Sequence, residues 1–240
     1  MREQPLPLWE DEGNRIRSFS FLPLSRRPRE YEYFIQNLPK PPVNLFEIGC
    51  GRGEIGPPTR NHASQITKML LYNGYNLHGV DLHDITWTHP NFTYTRGNFL
   101  AVELPDNYYD GGLAVQVISH IGMVYFTDQN EPYDENADYR VFQKVARLLK
   151  PGGIFVTCLP IHNEFTVEGY RSPEGVNLLP AKKGRISDRA RINDTLKEAR
   201  LTLEDIQIYE GWNPKLGDKT VNEMIEGKNY VALLKVKKPT

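Results

Sequence analysis

The sequence predicts an α/β fold built on one doubly wound, mostly parallel sheet of seven strands. Short apolar runs of strand length alternate with longer segments of helical period along most of the chain. The last two strand-like runs follow each other without a clear helix between them, which predicts an antiparallel C-terminal hairpin that closes the sheet. A chain of 240 residues is long enough for one such domain with a sizeable core.

The individual elements are predicted from hydrophobic period and from the residues that interrupt it. Strands are predicted over residues 43–48, 77–80, 92–95, 112–118, 154–158, 203–209 and 230–236. Helices are predicted over residues 29–38, 59–73, 138–149 and 187–200, with Ser187 capping the last one. Residues 1–40 are interpreted as an N-terminal cap segment, residues 41–240 as the main domain, and residues 167–184 as a long loop.

Composition and charge exclude several classes of protein. The formal net charge is −1, so there is no global basic field for gripping nucleic acid, and we expect no nucleic-acid partner. No apolar run approaches the roughly 18 residues of a membrane span, and the N-terminus has no signal-peptide core. Cys50 and Cys158 form neither a zinc spacing nor a disulfide framework. We therefore expect a cytoplasmic protein without a membrane segment, and leave a homo-oligomer open.

A glycine-rich loop follows the first predicted strand. Gly49, Gly51 and Gly53 alternate there, and glycine lets the backbone turn tightly and approach a ligand that a Cβ would exclude. In a doubly wound sheet, ligands bind outside the carboxyl ends of the strands. Asp81 ends the second strand, where a carboxylate can accept hydrogen bonds from two ribose hydroxyls. Together these features predict a cofactor that contains adenosine.

Two classes of adenosine cofactor fit this loop. Residues 51–56 match the dinucleotide pattern G-x-G-x-x-G, which keeps NAD or FAD open. Pro57 and Pro58 follow at once, although the third glycine of that pattern belongs inside a helix. Glu47, just before Gly49, suits a cofactor with a positively charged amino-acid end rather than a pyrophosphate.

Five motifs, in this order, resemble the class I S-adenosylmethionine-dependent methyltransferases. They are FEIGCGRG (46–53), GVDL (79–82), RGNF (96–99), LPDNYYDGGLAVQVISHI (104–121) and LLKPGG (148–153). The resemblance covers roughly residues 43–160 and implies a Rossmann-like fold with S-adenosylmethionine as the cofactor. Residues 89–99 and 120–153 are similar to a subgroup of bacterial and archaeal methyltransferases that act on glycans and small molecules.

The resemblance also implies roles for individual residues. The implied cofactor-binding set is Glu47, Gly49, Cys50, Gly51, Gly53, Asp81, Leu82, Asn98, Phe99 and Gln116. The glycines wrap the methionine portion, Glu47 supports the loop and the amino group, and Asp81 holds the ribose. Leu82 and Phe99 lie against the adenine, and Asn98 stands where the family usually has an aspartate facing the adenine amino group. Gln116 and Val117 border the sulfonium.

In methyl transfer the main task of the protein is to align the acceptor with the methyl carbon of the cofactor. The step is an in-line displacement, and a hydroxyl acceptor also needs a base to remove its proton. His120 and His162 follow the fourth and fifth strands and are the candidate catalytic bases, because imidazole exchanges protons near neutral pH. Each histidine has an alternative, purely structural interpretation as a hydrogen-bonding side chain.

Further side chains have both a functional and a structural interpretation. Tyr31, Tyr33 and Phe34 in the cap segment either line an acceptor pocket or belong to the core. The acidic residues after the fourth strand (Asp128, Glu131, Asp134, Glu135 and Asp138) are interpreted as a solvated loop and helix cap, and we expect no metal site.

The sequence therefore predicts methyl transfer from S-adenosylmethionine to a small-molecule acceptor, a hydroxyl of a sugar or other metabolite. The alternatives are an NAD-dependent oxidoreductase or epimerase, an RNA or protein methyltransferase, and a non-enzymatic cofactor-binding protein.

Overall fold

The computed structural model describes residues 28–51, 63–123, 134–169, 182–210, 224 and 230–240. Predictions made for Gly53, for the prolines at 57 and 58, for Asp128 and Glu131, and for most of the 167–184 loop lie outside these residues. No helix in these ranges is both long enough and apolar enough to cross a membrane.

Nine strands and four helices make up the described chain. The strands are β1 (Asn44–Ile48), β2 (Asn76–Asp81), β3 (Phe92–Arg96), β4 (Tyr109–Val115), β5 (Leu149–Ile161), β6 (Thr166–Gly169), β7 (Lys182–Ile186), β8 (Thr202–Glu210) and β9 (Tyr230–Lys237). The helices are α1 (Pro28–Asn37), α2 (Gln65–Tyr72), α3 (Ala137–Leu148) and α4 (Arg189–Glu198), with a short 3-10 turn at Ile118–His120.

Seven strands form one sheet in the order β3-β2-β1-β4-β5-β9-β8. The first five strands of this order run parallel, and β9 lies antiparallel between β5 and β8. This confirms the predicted Rossmann-like α/β fold with a mostly parallel seven-stranded sheet and an antiparallel C-terminal hairpin. The carboxyl ends of β1, β2 and β4 therefore meet at the same edge of the sheet, where the order of strands reverses.

Two helix starts differ from the prediction. Helix α2 begins at Gln65 rather than at residue 59, because the Ser64 hydroxyl accepts the backbone N–H of Thr67 at 3.1 Å as an N-cap. Helix α4 is capped by Asp188, whose Oδ1 accepts the Arg191 N–H at 2.6 Å. Ser187, the predicted cap, forms a parallel bridge with Ile161 instead.

Two strand predictions were wrong near the cleft edge of the sheet. Strand β4 ends at Val115 rather than at residue 118, because Gln116 takes a left-handed backbone conformation with φ 54°. Strand β5 is longer than predicted and runs on to Ile161. The region predicted as a long loop contains a second, two-stranded sheet made of β6 and β7.

The core occupies both faces of the sheet, since successive strand residues point to opposite faces. Phe46 and Phe155 lie on the face covered by α3 and α4, and Leu45 lies on the other face. Tyr31, Tyr33 and Phe34 of α1 are buried on the Leu45 face and belong to that part of the core. The interpretation of these aromatics as the lining of an acceptor pocket is thus wrong, while the domain boundary at residue 40 stays a prediction.

Candidate active site

A cleft of about 350 Å³ opens at the carboxyl ends of β1, β2 and β4. Its lining is Ile48, Gly49, Gly51, Val80, Asp81, Leu82, His83, Gly97, Asn98, Phe99, Val115, Gln116, Val117, His120, Ile121 and Gly122. The volume lies within the range of small-molecule and cofactor sites. The cleft brings together nine of the residues that the sequence singled out, from the segments that follow four strands.

The glycine loop leaves β1 in a conformation that requires glycine at its first position. Gly49 has φ 76°, and its N–H donates to the Val80 carbonyl at 2.8 Å, which holds the loop against β2. A Cβ at Gly49 would lie 2.8 Å from the Val117 Cγ2 atom. The missing side chain therefore keeps open the space between β1 and the segment after β4.

Asp81 connects the glycine loop to the end of β2. Its Oδ2 accepts the Gly51 N–H at 2.8 Å, and its Oδ1 accepts the His83 N–H and faces His83 Nδ1, both at 2.9 Å. The Asp81 side chain is 10% exposed, and each carboxylate oxygen can accept more than one hydrogen bond. Asp81 thus orders the loop and still presents an acceptor to the cleft.

Glu47 and Cys50 lie behind the loop rather than on the cleft surface. The Glu47 carboxylate accepts the Thr67 hydroxyl at 2.6 Å and the Ser64 hydroxyl at 3.3 Å, which ties β1 to the start of α2. The Cys50 thiol is fully buried against Gly79. Both side chains support the loop from behind, so the geometry does not favour the expected contact of Glu47 with a cofactor amino group.

Burial raises the pKa of Glu47 to about 7, and its two hydroxyl partners offset part of this shift. Between its ordinary pKa near 4.5 and this value, the folded state binds a proton that the unfolded state does not. The free energy of unfolding contributed by Glu47 therefore falls as the pH rises through this window.

We expect Glu47→Gln to be isosteric and to remove this penalty. Its free energy of unfolding, relative to the natural chain, should rise by roughly 1–3 kcal/mol between pH 4.5 and pH 8. Urea unfolding of the ligand-free protein across this range measures the difference. Glu103, whose side chain is 91% exposed, gives the control variant Glu103→Gln. If the free energies of unfolding of Glu47→Gln and of the natural chain differ by the same amount at every pH, Glu47 has no such role.

The turn after β3 forms another wall of the cleft. The Asn98 Oδ1 atom accepts the Leu100 N–H at 2.9 Å, and the backbone carbonyl of Asn98 accepts the N–H groups of Ala101 and Val102. The Phe99 ring stacks on Phe46 at a centroid distance of 6.2 Å. One of the two lone pairs of Asn98 Oδ1 is thus used within the turn.

The segment after β4 forms the remaining wall. Gln116 Nε2 is buried and has no hydrogen-bond partner among the described residues, and the left-handed backbone places this residue at the cleft. An unpaired buried donor on strained backbone is a feature of binding sites. His120 lies on the 3-10 turn that follows, where its N–H donates to the Val117 carbonyl at 2.9 Å.

Arg185 of β7 holds this segment in place through its backbone carbonyls. The sequence analysis did not predict a role for Arg185. The Arg185 side chain is 2% exposed and donates to the carbonyls of Ile118 at 2.8 Å and Ile121 at 2.6 Å. These carbonyls flank His120. Because residues 167–184 were interpreted as a loop, the strand that carries Arg185 was not predicted.

His162, the second predicted base, is not part of the cleft lining. Because β5 extends to Ile161 and then bridges to Ser187, the His162 N–H donates to the Ser187 carbonyl at 2.9 Å. The structure does not bring His162 and His120 together. His83, Gly97 and Ile121 line the cleft without having been predicted. The position of His83, two residues after an acid that ends a strand, was the signal available for it.

Residues 46–157 match the family described as "Methyltransferase domain". This match supports the class I S-adenosylmethionine-dependent methyltransferases as the family of this domain. This match confirms the family predicted from the motifs, with methyl transfer as its reaction and S-adenosylmethionine as its cofactor, and it decides against the dinucleotide alternative. The matched residues begin within β1, end within β5 and include every residue that lines the cleft.

Relatives of this methyltransferase domain are similar over part of the chain. The sterol 24-C-methyltransferase of Yarrowia lipolytica is 27% identical over 127 residues, which are 48% of this chain and 27% of that protein. Squalene methyltransferase 1 of Botryococcus braunii is 27% identical over 119 residues, which are 49% of this chain and 28% of that protein. The match thus spans about a quarter of the length of these curated relatives.

Solved structures share the fold at low sequence identity. A SAM-dependent methyltransferase from Methanosarcina mazei has a TM-score of 0.59 at 14% identity and covers 86% of this chain and 97% of its own. The 1,6-didemethyltoxoflavin-N1-methyltransferase of Burkholderia thailandensis, with bound 1,6-didemethyltoxoflavin and S-adenosylhomocysteine, has a TM-score of 0.58 at 16% identity. It covers 99% of this chain and 93% of its own.

The acidic residues around α3 of the methyltransferase domain form ion pairs. Both Asp138 oxygens accept hydrogen bonds from Arg191 at 2.7 Å, and Asp134 pairs with Arg140. Within the described ranges, no group of three or more His, Cys, Asp or Glu side chains is arranged to hold a metal ion.

Proposed function

We propose that this chain transfers the methyl group of S-adenosylmethionine to a hydroxyl of a small molecule, such as a sugar or another metabolite. The observation that carries the proposal is the cleft itself. The glycine loop, Asp81, the Asn98–Phe99 turn and His120 line one continuous space in a chain of this family. The first three parts suit the cofactor, and His120 suits the acceptor.

The cleft residues fit the parts of S-adenosylmethionine. Asp81 would accept the ribose hydroxyls, while Leu82, Asn98 and Phe99 would border the adenine. A Cβ at Gly51 would lie 3.0 Å from Asp81 Oδ2, so the loop forms a cradle that a side chain would fill. Gly49, Gly51 and Gly53 would surround the methionine portion, with Glu47 and Cys50 as their support. When bound, the cofactor supplies an electrophilic methyl group.

The acceptor half of the cleft supports a small, partly apolar substrate. Val117 and Ile121 give it apolar walls, and Gln116 and His120 are polar groups in the same wall. The named relatives act on a sterol, on squalene and on 1,6-didemethyltoxoflavin, all of which are small molecules. A net charge of −1 offers no general attraction to RNA.

His120 is proposed as the general base for the acceptor hydroxyl. Its imidazole would take the hydroxyl proton as the oxygen attacks the methyl carbon. Arg185 donates to the carbonyls on both sides of His120, so hydrogen bonds fix the backbone from which the His120 side chain extends. Gln116 and Val117 would border the sulfonium on the side of the acceptor.

The test is a methyl-transfer assay with acceptor pools. Release of S-adenosylhomocysteine is measured with separate pools of sugars and nucleotide sugars, hydroxylated metabolites, RNA and proteins. We expect turnover with one of the first two pools. Turnover confined to RNA or protein would overturn the proposed acceptor class, and cofactor binding without turnover in any pool would favour a non-enzymatic role.

A proposal about location follows from the cysteines. Cys50 and Cys158 are buried and form no disulfide with each other, as is usual in a reducing compartment. We propose a cytoplasmic location on this basis; fractionation of the native host cells tests it.

We expect Gly49→Ala to weaken binding of S-adenosylhomocysteine on the order of tenfold, or about 1.4 kcal/mol. The new Cβ would lie 2.8 Å from Val117 and would carry the strain of φ 76°. Gly74→Ala is the matched control, because Gly74 has φ 89° but its nearest neighbour would be 3.9 Å away.

Both variants should lose stability from backbone strain, and Gly49→Ala alone should lose affinity. Adding Val117→Ala to Gly49→Ala should restore part of that affinity. Isothermal titration calorimetry and thermal unfolding measure the two quantities. If Gly49→Ala and Gly74→Ala bind S-adenosylhomocysteine with equal affinity, Gly49 is not part of the cofactor site.

A further inference from the structure

Lys144 is a buried cation on the core-facing side of α3. Its neighbours on this face are Val141, Val145 and Leu148, and the residue is 9% exposed. The structure shows no ion pair between Lys144 and a carboxylate of the described residues, and burial lowers the pKa of its ammonium group. A charge in this position is costly unless its donors are used.

The Lys144 ammonium uses its donors on the turn that borders the cleft. Nζ donates to the Phe99 carbonyl at 2.6 Å and to the Val102 carbonyl, and it lies 5.0 Å from the centre of the Phe99 ring. One cation thus holds both ends of the 99–102 segment and contacts the ring of Phe99, a residue that lines the cleft.

Lys144 and Asn98 bind the two ends of one peptide group: Lys144 binds its carbonyl oxygen, and the Asn98 side chain accepts its N–H. The Phe99 carbonyl belongs to the peptide whose N–H, on Leu100, donates to Asn98 Oδ1 at 2.9 Å. A cation on the carbonyl strengthens the N–H as a donor. This bond fixes the Asn98 amide with its oxygen turned toward Leu100, and so sets which amide atoms face a ligand.

We propose that Lys144 is a positioning residue for adenine recognition, acting through the carbonyls of Phe99 and Val102 on the turn that carries Asn98. This inference rests on the proposed function, because it takes adenine as the ligand of that turn. Lys144 does not line the cleft and has no part in the transfer step. Its role is to keep the Asn98 amide and the Phe99 ring in one arrangement.

The test compares two ligands in two variants. Dissociation constants for S-adenosylhomocysteine and for its 6-oxo analogue, S-inosylhomocysteine, are measured by calorimetry, with the turnover number at saturating cofactor. We expect the natural chain to prefer the adenine ligand. Lys144→Met should weaken binding of the adenine ligand about tenfold, reduce this preference, and leave the turnover number within about twofold. Lys144→Arg should retain the preference, because it keeps the cation.

The control is Lys150→Met. Lys150 pairs with Asp110 at 2.6 Å and lies outside the cleft lining, so its loss should not change either dissociation constant. If Lys144→Met does not fold, the same comparison of the two ligands is made with Lys144→Gln, which should also lose the preference for S-adenosylhomocysteine. A preference unchanged in the apolar or neutral variant would overturn the role of Lys144. Failure of the natural chain to bind S-adenosylhomocysteine would instead overturn the proposed function.

Discussion

Replacing Asp81 with alanine should weaken binding of S-adenosylmethionine by about 10- to 100-fold, or about 1–3 kcal/mol. Three losses contribute. The ribose hydroxyls lose their carboxylate acceptor, and the Gly51 N–H loses the partner that holds the glycine loop at 2.8 Å. The His83 N–H also loses its acceptor, which loosens the chain after β2.

Asp84→Ala is the matched control for Asp81→Ala. Asp84 lies three residues further along the same loop, but its side chain is 64% exposed and pairs with Arg96 on the surface. A surface ion pair of this kind contributes little. Calorimetric titration with S-adenosylhomocysteine should give a native dissociation constant for Asp84→Ala. An unchanged constant for Asp81→Ala, in a protein with native thermal stability, would remove Asp81 from the cofactor site.

His120→Ala should lower the turnover number by on the order of 100-fold while the dissociation constant of S-adenosylhomocysteine changes by less than about threefold. The reason is that a base acts on the acceptor proton and not on the cofactor. Steady-state kinetics with an accepted hydroxyl substrate, together with calorimetry, separates the two effects.

His162→Ala is the comparison variant for His120→Ala, because the sequence predicted both histidines as candidate bases. Because His162 lies outside the cleft lining, we expect its replacement to leave the turnover number close to that of the natural chain. The reverse pattern, with activity lost at His162 and kept at His120, would mean that the base comes from the β5 end. Native turnover in both variants would mean that the acceptor needs no histidine base.

The sequence was sufficient to predict the seven-stranded sheet and several residues that line the cleft. Glycines with a required conformation and an acid at a strand end are local signals, and Gly49 and Asp81 lie where those signals indicate. Strand periodicity also predicted the antiparallel end of the sheet, because residues 203–209 and 230–236 have strand character of their own.

The contacts that hold the walls of the cleft were less predictable because they join distant segments of the chain. The apolar run 112–118 does not show that Gln116 leaves the strand, since Ile118 after it is also buried in the core. Arg185 and Lys144 act through backbone carbonyls 64 and 45 positions away, respectively. Hydrogen bonds to carbonyls require no particular residue at the acceptor, so they leave no pattern in the sequence.

The most direct measurement of the central claim is a crystal structure of the protein with S-adenosylhomocysteine. We expect the ribose within hydrogen-bond distance of Asp81, the adenine beside Asn98 and Phe99, and the sulfur directed toward Gln116 and His120. Density for the ligand at any other place, with this cleft filled by protein side chains, would contradict the account.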